Sequence, residues 1–398
     1  MDYREIFRKY KDGTASDEER QLAEDEIRKF EAIEEFLISE AGEGFSVESE
    51  SREDDELLSE ETKRVKNTIE KRLRKIVVES VIAVMVIFAV IFFVISPLMD
   101  TMYYNPASKN LDPENGIQNI NYDIGVLTEL NNPEKSFLAA TADKLGFAGY
   151  NISYILQESF SGNYQNINQK ISMGRNLHSD LQSEIYTAGI ESPLFPEIIY
   201  GADSDYAAKK LEVQLQELKK LNENNCVSLA VSLKTDITPQ KLTALKERYP
   251  DISFNWAAIR TSEYTEDDYH FCIGTKLEIG GQPSKALNEK YPALSSLLWF
   301  VDSAGGSYSR PSEERVIGIH YKSMLQYLID RKEMITVLDE SPSKYEFYKA
   351  ALEYAEKNCI KIYGILVSGE AKAIREFVED ENVSAIEIRK VTLSKFSS

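Results

Sequence analysis

The chain has 398 residues and a formal net charge of −20, room for two or three domains. The excess of acid argues against nucleic acid as a direct partner, because binding phosphate needs a basic face. All three cysteines (Cys226, Cys272, Cys359) and all three histidines (His178, His270, His320) lie beyond residue 100. A His/Cys zinc site within residues 1–75 is thereby excluded, a disulfide-stapled secreted domain would carry more cysteines, and three buried free thiols are expected, with one pair and an odd thiol as the alternative.

Tyr3, Ile6, Phe7 and Tyr10 recur at helical spacing, and Lys11-Asp12-Gly13 ends that helix, with Gly13 placed for a left-handed cap. Ser16 followed three residues later by Glu19 is a capping box, and Asp17, Glu18 and Glu19 sit at the positive end of the next helix. Downstream, Ala23, Ile27, Phe30, Ile33, Phe36 and Leu37 fall on one face. Two helices of roughly 10 and 24 residues are too little chain to bury that stripe unaided. Residues 41–56 read as an acidic linker, and helical patterning resumes at Leu58, Val65, Ile69 and Leu73. Residues 1–70 hold 23 Asp/Glu against 11 Lys/Arg, after which "KRLRK" carries four positive charges.

Residues 80–98 contain no charge, and 76–78 extend the apolar run. About 20 residues of helix cross the hydrocarbon core, with Pro97 as the expected exit. Lys71, Arg72, Arg74 and Lys75 place residues 1–75 in the cytoplasm by the positive-inside tendency. A cleaved signal peptide would stand near the N-terminus and end in a small-residue site, whereas "FFVISPLMD" offers none. The expectation is a single-pass protein of the cell membrane, its N-terminus cytoplasmic and its C-terminus extracellular.

Beyond the membrane segment the pattern is mixed α/β. "GYNISYILQESFSGNYQNINQKISM" suits a hairpin and residues 206–223 a helix. Val227, Leu229, Val231 and Leu233 alternate as in a strand, and Thr238-Pro239 opens a helix as N-cap and first helical residue. Ile252, Phe254 and Trp256 alternate again, and residues 269–277 read as a further strand. Ser343 and Glu346 suggest a second capping box. A strand at 360–367, a helix at 370–380 and a strand at 383–393 close the chain. Two strand–helix–strand units predict open-faced sandwiches with helices on one side. The fold class is therefore a bitopic membrane protein with a small all-α cytoplasmic domain, a single transmembrane helix and a mixed α/β (α+β) extracellular domain. The divisions are 1–57 (helical module with acidic linker), 58–75 (juxtamembrane helix), 76–98 (transmembrane helix), 99–116 (stalk), 117–222 (outer subdomain 1) and 223–398 (outer α/β subdomain 2).

The chain shows no motif for catalysis, cofactor or metal. His320 in "GIHYKS" lacks a nucleophile or carboxylate nearby in sequence and reads as structural. "SAGGSYSR" (303–310) lacks the lysine of a phosphate-binding loop. Acidic residues 266–268 suit a solvated loop better than a calcium site.

"YKDGTASDEERQLAEDEIRKFEAIEEFL", followed by a cationic helix and one apolar span, resembles the sigma factor regulator family. The features that match are the aromatic first helix, the K-D-G turn, the S-x-E-E helix start and "KFEAIEEFL". "IKIYGILVSGEAKAIREF" (360–377) resembles the C-terminal region of the same family. The resemblance implies a membrane-anchored, zinc-free anti-sigma factor of the Gram-positive type. Residues 1–75 would bind an extracytoplasmic-function sigma factor, in response to cell envelope stress sensed outside. Partner-binding residues would be Tyr3, Phe7, Tyr10, Ile27, Phe30, Ile33, Leu37, Val65 and Ile69. For each of them, a place in the module's own core is the competing expectation. A second membrane protein or a protease would complete the signalling route. The alternative is a signal-anchored extracellular enzyme or ligand-binding domain with an inert cytoplasmic tail.

Overall fold

The computed structural model describes residues 6, 9–42, 55–177, 205–263, 272–277, 284–294, 300–301, 308–309, 313–339 and 342–393. Acidic residues 266–268 lie outside them, as do His178, His270 and most of 303–310. The chain divides into two compact units, Met1–Val84 and Met85–Ser398.

In the first unit residues 9–11 are helical and Gly13 takes φ +71°. Its N–H donates to the Tyr10 carbonyl at 3.2 Å, and Thr14 N–H to the Lys9 carbonyl at 2.9 Å, which satisfies orphan carbonyls of the helix end. Helix α1 (Asp17–Gly42) follows. Helix α2 (Asp55–Val90) begins in this unit, runs on through a π-helical turn (Ile91–Ile95) and is succeeded by α3 (Ser96–Met102). Val65–Met102 is long and apolar enough to cross a membrane. Pro97, expected to mark the exit from the membrane, does not interrupt the helical run. It occupies the first turn of α3, and the wider π turn before it accommodates a ring that would crowd a regular α-helix.

The described residues of the second unit form two larger sheets and one short two-stranded pair. Helix α4 (Asn119–Asn131) lies against an antiparallel meander of β1 (Lys135–Gly146), β2 (Gly149–Glu158), β3 (Tyr164–Ser172) and β4 (Arg175–Asn176), paired in that order. The β2–β3 hairpin expected from "GYNISYILQESF" is present. The free edge of β1 is closed by side chains. Asn121 and Gln118 exchange amide hydrogen bonds of 2.9–3.0 Å with the backbone of Ala140 and Ala142, blunting an edge that would otherwise invite pairing.

After α5 (Asp205–Lys220) come β5 (Cys226–Ile237), α6 (Pro239–Arg248) and β6 (Ile252–Ile259). Thr238 caps α6, its hydroxyl accepting from Lys241 N–H at 3.3 Å. A long insertion carries β7 (Gly274–Lys276), α7 (Lys285–Lys290), the short pair β8 (Phe300–Val301) and β9 (Tyr308–Ser309), then α8 (Glu313–Asp330), α9 (Lys332–Leu338) and α10 (Pro342–Lys357). The chain closes with β10 (Ile362–Glu370), α11 (Ala371–Asp380) and β11 (Val383–Thr392). The sheet order is β11-β5-β10-β6-β7, all antiparallel. Without β7, the order and the two strand–helix–strand units are those of a split βαβ, ferredoxin-like sheet, into which the insertion enters after β6.

This sheet is not open-faced. Val227, Leu229, Val231 and Leu233 join one core with Leu242, Leu245, Ile374 and Phe377 of the helices. On the opposite face Ala230, Trp256, Ala258, Cys272, Tyr363 and Leu366 form a second buried layer. Trp256 Nε1 donates to the Glu129 carbonyl of α4 at 2.8 Å, so the element that leads into the meander also covers this face. The larger core runs from Tyr104 through α4, the meander and the ferredoxin-like sheet. Residues 117–222 and 223–398 therefore share one interior. Residues expected to form a stalk pack into it too, with Tyr104 and Asp112 buried. Gly274 is fixed by crowding: a Cβ there would lie 2.0 Å from the Ala257 carbonyl.

Other expectations are corrected locally. Helix α10 begins at Pro342, so Ser343 lies inside its first turn and is not the cap. Of residues 269–277 only 274–276 are strand among the described residues. Cys226 and Cys272 are buried thiols, but Cys359 is exposed, because it follows α10 at the surface.

Candidate functional site

The sequence-predicted surface lies on the inner helices. Glu19 N–H donates to Ser16 Oγ at 3.3 Å, and Ser16 N–H donates to Glu19 Oε2 at 3.0 Å, the reciprocal capping box. Lys9 Nζ donates to the other Glu19 oxygen at 2.9 Å. The bonds from the Ser16 amide and Lys9 hold the Glu19 carboxyl below its ordinary range. This ties the end of the first turn to the start of α1. Tyr10 is half-buried, its hydroxyl 3.5 Å from Glu24 Oε1.

Only Ile6 and Ala23 are buried apolar residues in this unit among those described. Ile27 is 37% and Ile33 58% exposed, and Val65 and Ile69 stand open on α2. Tyr3 and Phe7 lie outside the described residues. Phe30 and Leu37 belong to α1 by backbone, their side chains undescribed.

The second unit contains two charged clusters that sequence order conceals. Asp123 is fully buried on α4 and accepts four hydrogen bonds. Tyr104 Oη donates to Oδ2 at 2.5 Å and Tyr327 Oη to Oδ1 at 2.6 Å. Arg331 closes the set as a fork, Nε to Oδ1 at 2.7 Å and Nη2 to Oδ2 at 2.9 Å. Burial works against the Arg331 charge, but the Asp123 carboxylate outweighs it and raises the guanidinium further. Burial together with Asp123 drives both tyrosines well above their ordinary values. A buried carboxylate with every lone pair occupied is a joint rather than a reactive group. It links Tyr104, just past α3, to α4 and to the end of α8. Tyr104 and Arg331 also line a polar cavity of about 540 Å³ with Asp100, Tyr103, Asn105, Asn119 and Lys332.

The second cluster centres on His320. Its Nε2 lies 2.7 Å from Glu129 Oε1, and its Nδ1 lies 2.7 Å from the Ala293 carbonyl. A carbonyl only accepts, so Nδ1 carries a proton, and the carboxylate favours one on Nε2 as well. Burial opposes that charge, but Glu129 prevails and the imidazole is raised above its ordinary value. Glu129 is lowered despite burial, chiefly by His320. Lys276 is held down to about 8 by burial. Its ammonium reaches Ser136, and its N–H donates to Glu129 at 3.2 Å. Sequence reading finds no carboxylate for His320; the fold supplies one 191 residues away. The available signal was Asp123 itself, a charge set between Ile120, Ile124 and Leu127 on an apolar helix face, which demands a buried partner.

Among the described residues no group of His, Cys, Asp and Glu is arranged to hold a metal ion. Residues 218–390 match the family described as sigma factor regulator C-terminal. These residues are similar to a sigma factor regulator C-terminal domain. The matched span covers the ferredoxin-like sheet with its insertion and includes the C-terminal stretch that carried the resemblance. It supports membership of the sigma factor regulators, an anti-sigma regulatory role and the binding of a sigma factor. Neither a curated protein nor a solved structure matches the chain.

Proposed function

We propose that this protein is a single-pass anti-sigma factor. Its inner helices hold an extracytoplasmic-function sigma factor at the cytoplasmic face, and its outer unit takes the envelope signal. The observation that carries the reading is an acidic helical module that leaves Ile27, Ile33, Val65 and Ile69 uncovered, in a chain whose outer part matches the regulator family. An amphipathic helix of this kind inserts its apolar face into a groove. Its negative charge steers it to the basic surface with which a sigma factor reads a promoter. Signal transfer requires two states that differ in sigma affinity, with a second membrane protein or a protease as the further partner.

The test is a promoter reporter read by the cognate sigma factor in cells. Full-length protein should silence it, and full-length protein carrying Phe30→Asp with Ile33→Asp, inserted equally well in the membrane, should not. Equal silencing by the variant would remove the stripe from the interface.

A further inference from the structure

Two hairpin turns of the outer unit meet the end of the membrane helix. β1 and β2 join through residues 146–149, and β3 and β4 through 173–174. The turns touch: Met173 N–H donates to the Ala148 carbonyl at 3.0 Å. Both are held to the helix end. The Phe147 ring stands edge-on to Phe92 with centroids 5.7 Å apart, and Phe147 N–H donates to Ser96 Oγ at 2.9 Å. Ala148 N–H and the Tyr150 hydroxyl donate to Asp100 Oδ1 at 3.2 and 2.9 Å, while Lys144 pairs with Oδ2 at 3.2 Å. Gly174, at φ +68°, lies against the Tyr103 ring.

The composition of these turns is wrong for water. Tight hairpin tips ordinarily carry Asn, Asp and Gly, whereas these read Leu-Gly-Phe-Ala and Met-Gly. Phe147 and Ala148 both take φ +52°, a conformation that costs non-glycine residues energy. Leu145 and Met173 are each 49% exposed, beside exposed Lys144 and Arg175. The height of the turns is fixed by Phe92, four residues before Ser96. Through that contact the Phe147 ring reaches the last apolar turn of the helix, on the membrane side of Ser96. Side chains at that level meet head groups and acyl chains.

We propose that the paired turns form a membrane foot: Leu145, Phe147 and Met173 enter the lipid interface beside the span, with Lys144 and Arg175 at the level of the head groups. The proposal rests on reading Val65–Met102 as a membrane-spanning helix. The foot sets the outer unit against the bilayer and grips Ser96 and Asp100, so lifting it moves the end of the span.

The full chain tests this, with exposed Cys359 replaced by serine and reconstituted in phosphatidylcholine–phosphatidylglycerol vesicles. Nitroxide labels are attached at Leu145→Cys, Met173→Cys, Phe93→Cys and Tyr164→Cys. Tyr164 begins β3 at the opposite end of the meander, paired with Gln157. Collisions with dissolved oxygen should exceed those with a water-soluble nickel chelate at 145 and 173, as at 93, and the order should reverse at 164. Nickel-dominated labels at 145 and 173 beside an oxygen-dominated label at 93 would overturn the foot and leave the span intact. Shielding of 145 and 173 from both reagents would overturn it in favour of a protein contact. A nickel-dominated label at 93 would remove the span, and the foot with it.

Discussion

The two units solve opposite problems. The outer one buries Trp256, Tyr150, Tyr321 and Phe377 completely and even seals Asp123 within it, paired with Arg331. The inner one, within its described residues, buries only Ile6 and Ala23 among apolar side chains and leaves larger ones open. A domain that completes its own core can hold a fixed shape. A module that does not complete its core has surface left for a partner, and the hydrophobic effect supplies the affinity. The contrast can be tested by mutations confined to one side or the other.

The largest effect belongs to the outer joint. Arg331→Leu leaves Asp123 charged and buried without its cation, which costs about 3–5 kcal/mol. Thermal unfolding of the full chain should show the outer transition fall by many degrees while sigma capture at low temperature survives. Next comes the inner stripe. Phe30→Asp with Ile33→Asp removes a hot spot worth about 2 kcal/mol or more, on the order of 30-fold in affinity. A binding titration with the cognate sigma factor should show that loss, with the outer unfolding transition unchanged.

A smaller effect follows from His320. Its imidazole is raised in the folded state, so its contribution is full below its unfolded value of about 6.5 and declines as pH rises through the folded value. Glu129, lowered in the fold, acts in the opposite sense and loses its contribution only as pH falls through that lowered value. Lys276, held down to about 8, destabilises while protonated and adds stability as pH climbs from there toward its ordinary value. The outer melting temperature should therefore decline as pH rises above about 6.5. His320→Gln should flatten that slope, and an unchanged slope would assign it elsewhere. Smallest is Ser16→Ala, which removes a cap worth about 1 kcal/mol of helix stability. It should weaken sigma binding by less than the stripe variant, measured in the same titration.

Local chemistry was legible in the sequence wherever neighbours in the chain decide structure. Gly13, the Ser16–Glu19 box, the Thr238-Pro239 start and the alternation in β5 all form as their residues dictate. What sequence order hid was assembly. Nothing beside Asp123 names Arg331, and nothing beside His320 names Glu129, because those partners are brought in by helices about 200 residues apart. Burial of the sheet's second face was hidden for the same reason, since Trp256 is covered by a helix from before the meander. The residues past the span read as a stalk because Tyr104 and Asp112 stand among polar neighbours, and their burial comes from tertiary hydrogen bonds. In the first unit Ile27 and Ile33, read from their spacing as part of an apolar stripe, are exposed among the described residues.

The central claim is that a sigma factor covers the open face of α1 and the N-terminal part of α2. Amide hydrogen exchange of the full chain in a bilayer disc, with and without the cognate sigma factor, measures this directly. The account predicts slowed exchange in residues 23–38 and 62–73 and no change in β5, β10 or β11. Unchanged exchange in α1 at saturating sigma factor, or protection confined to the outer strands, would contradict it.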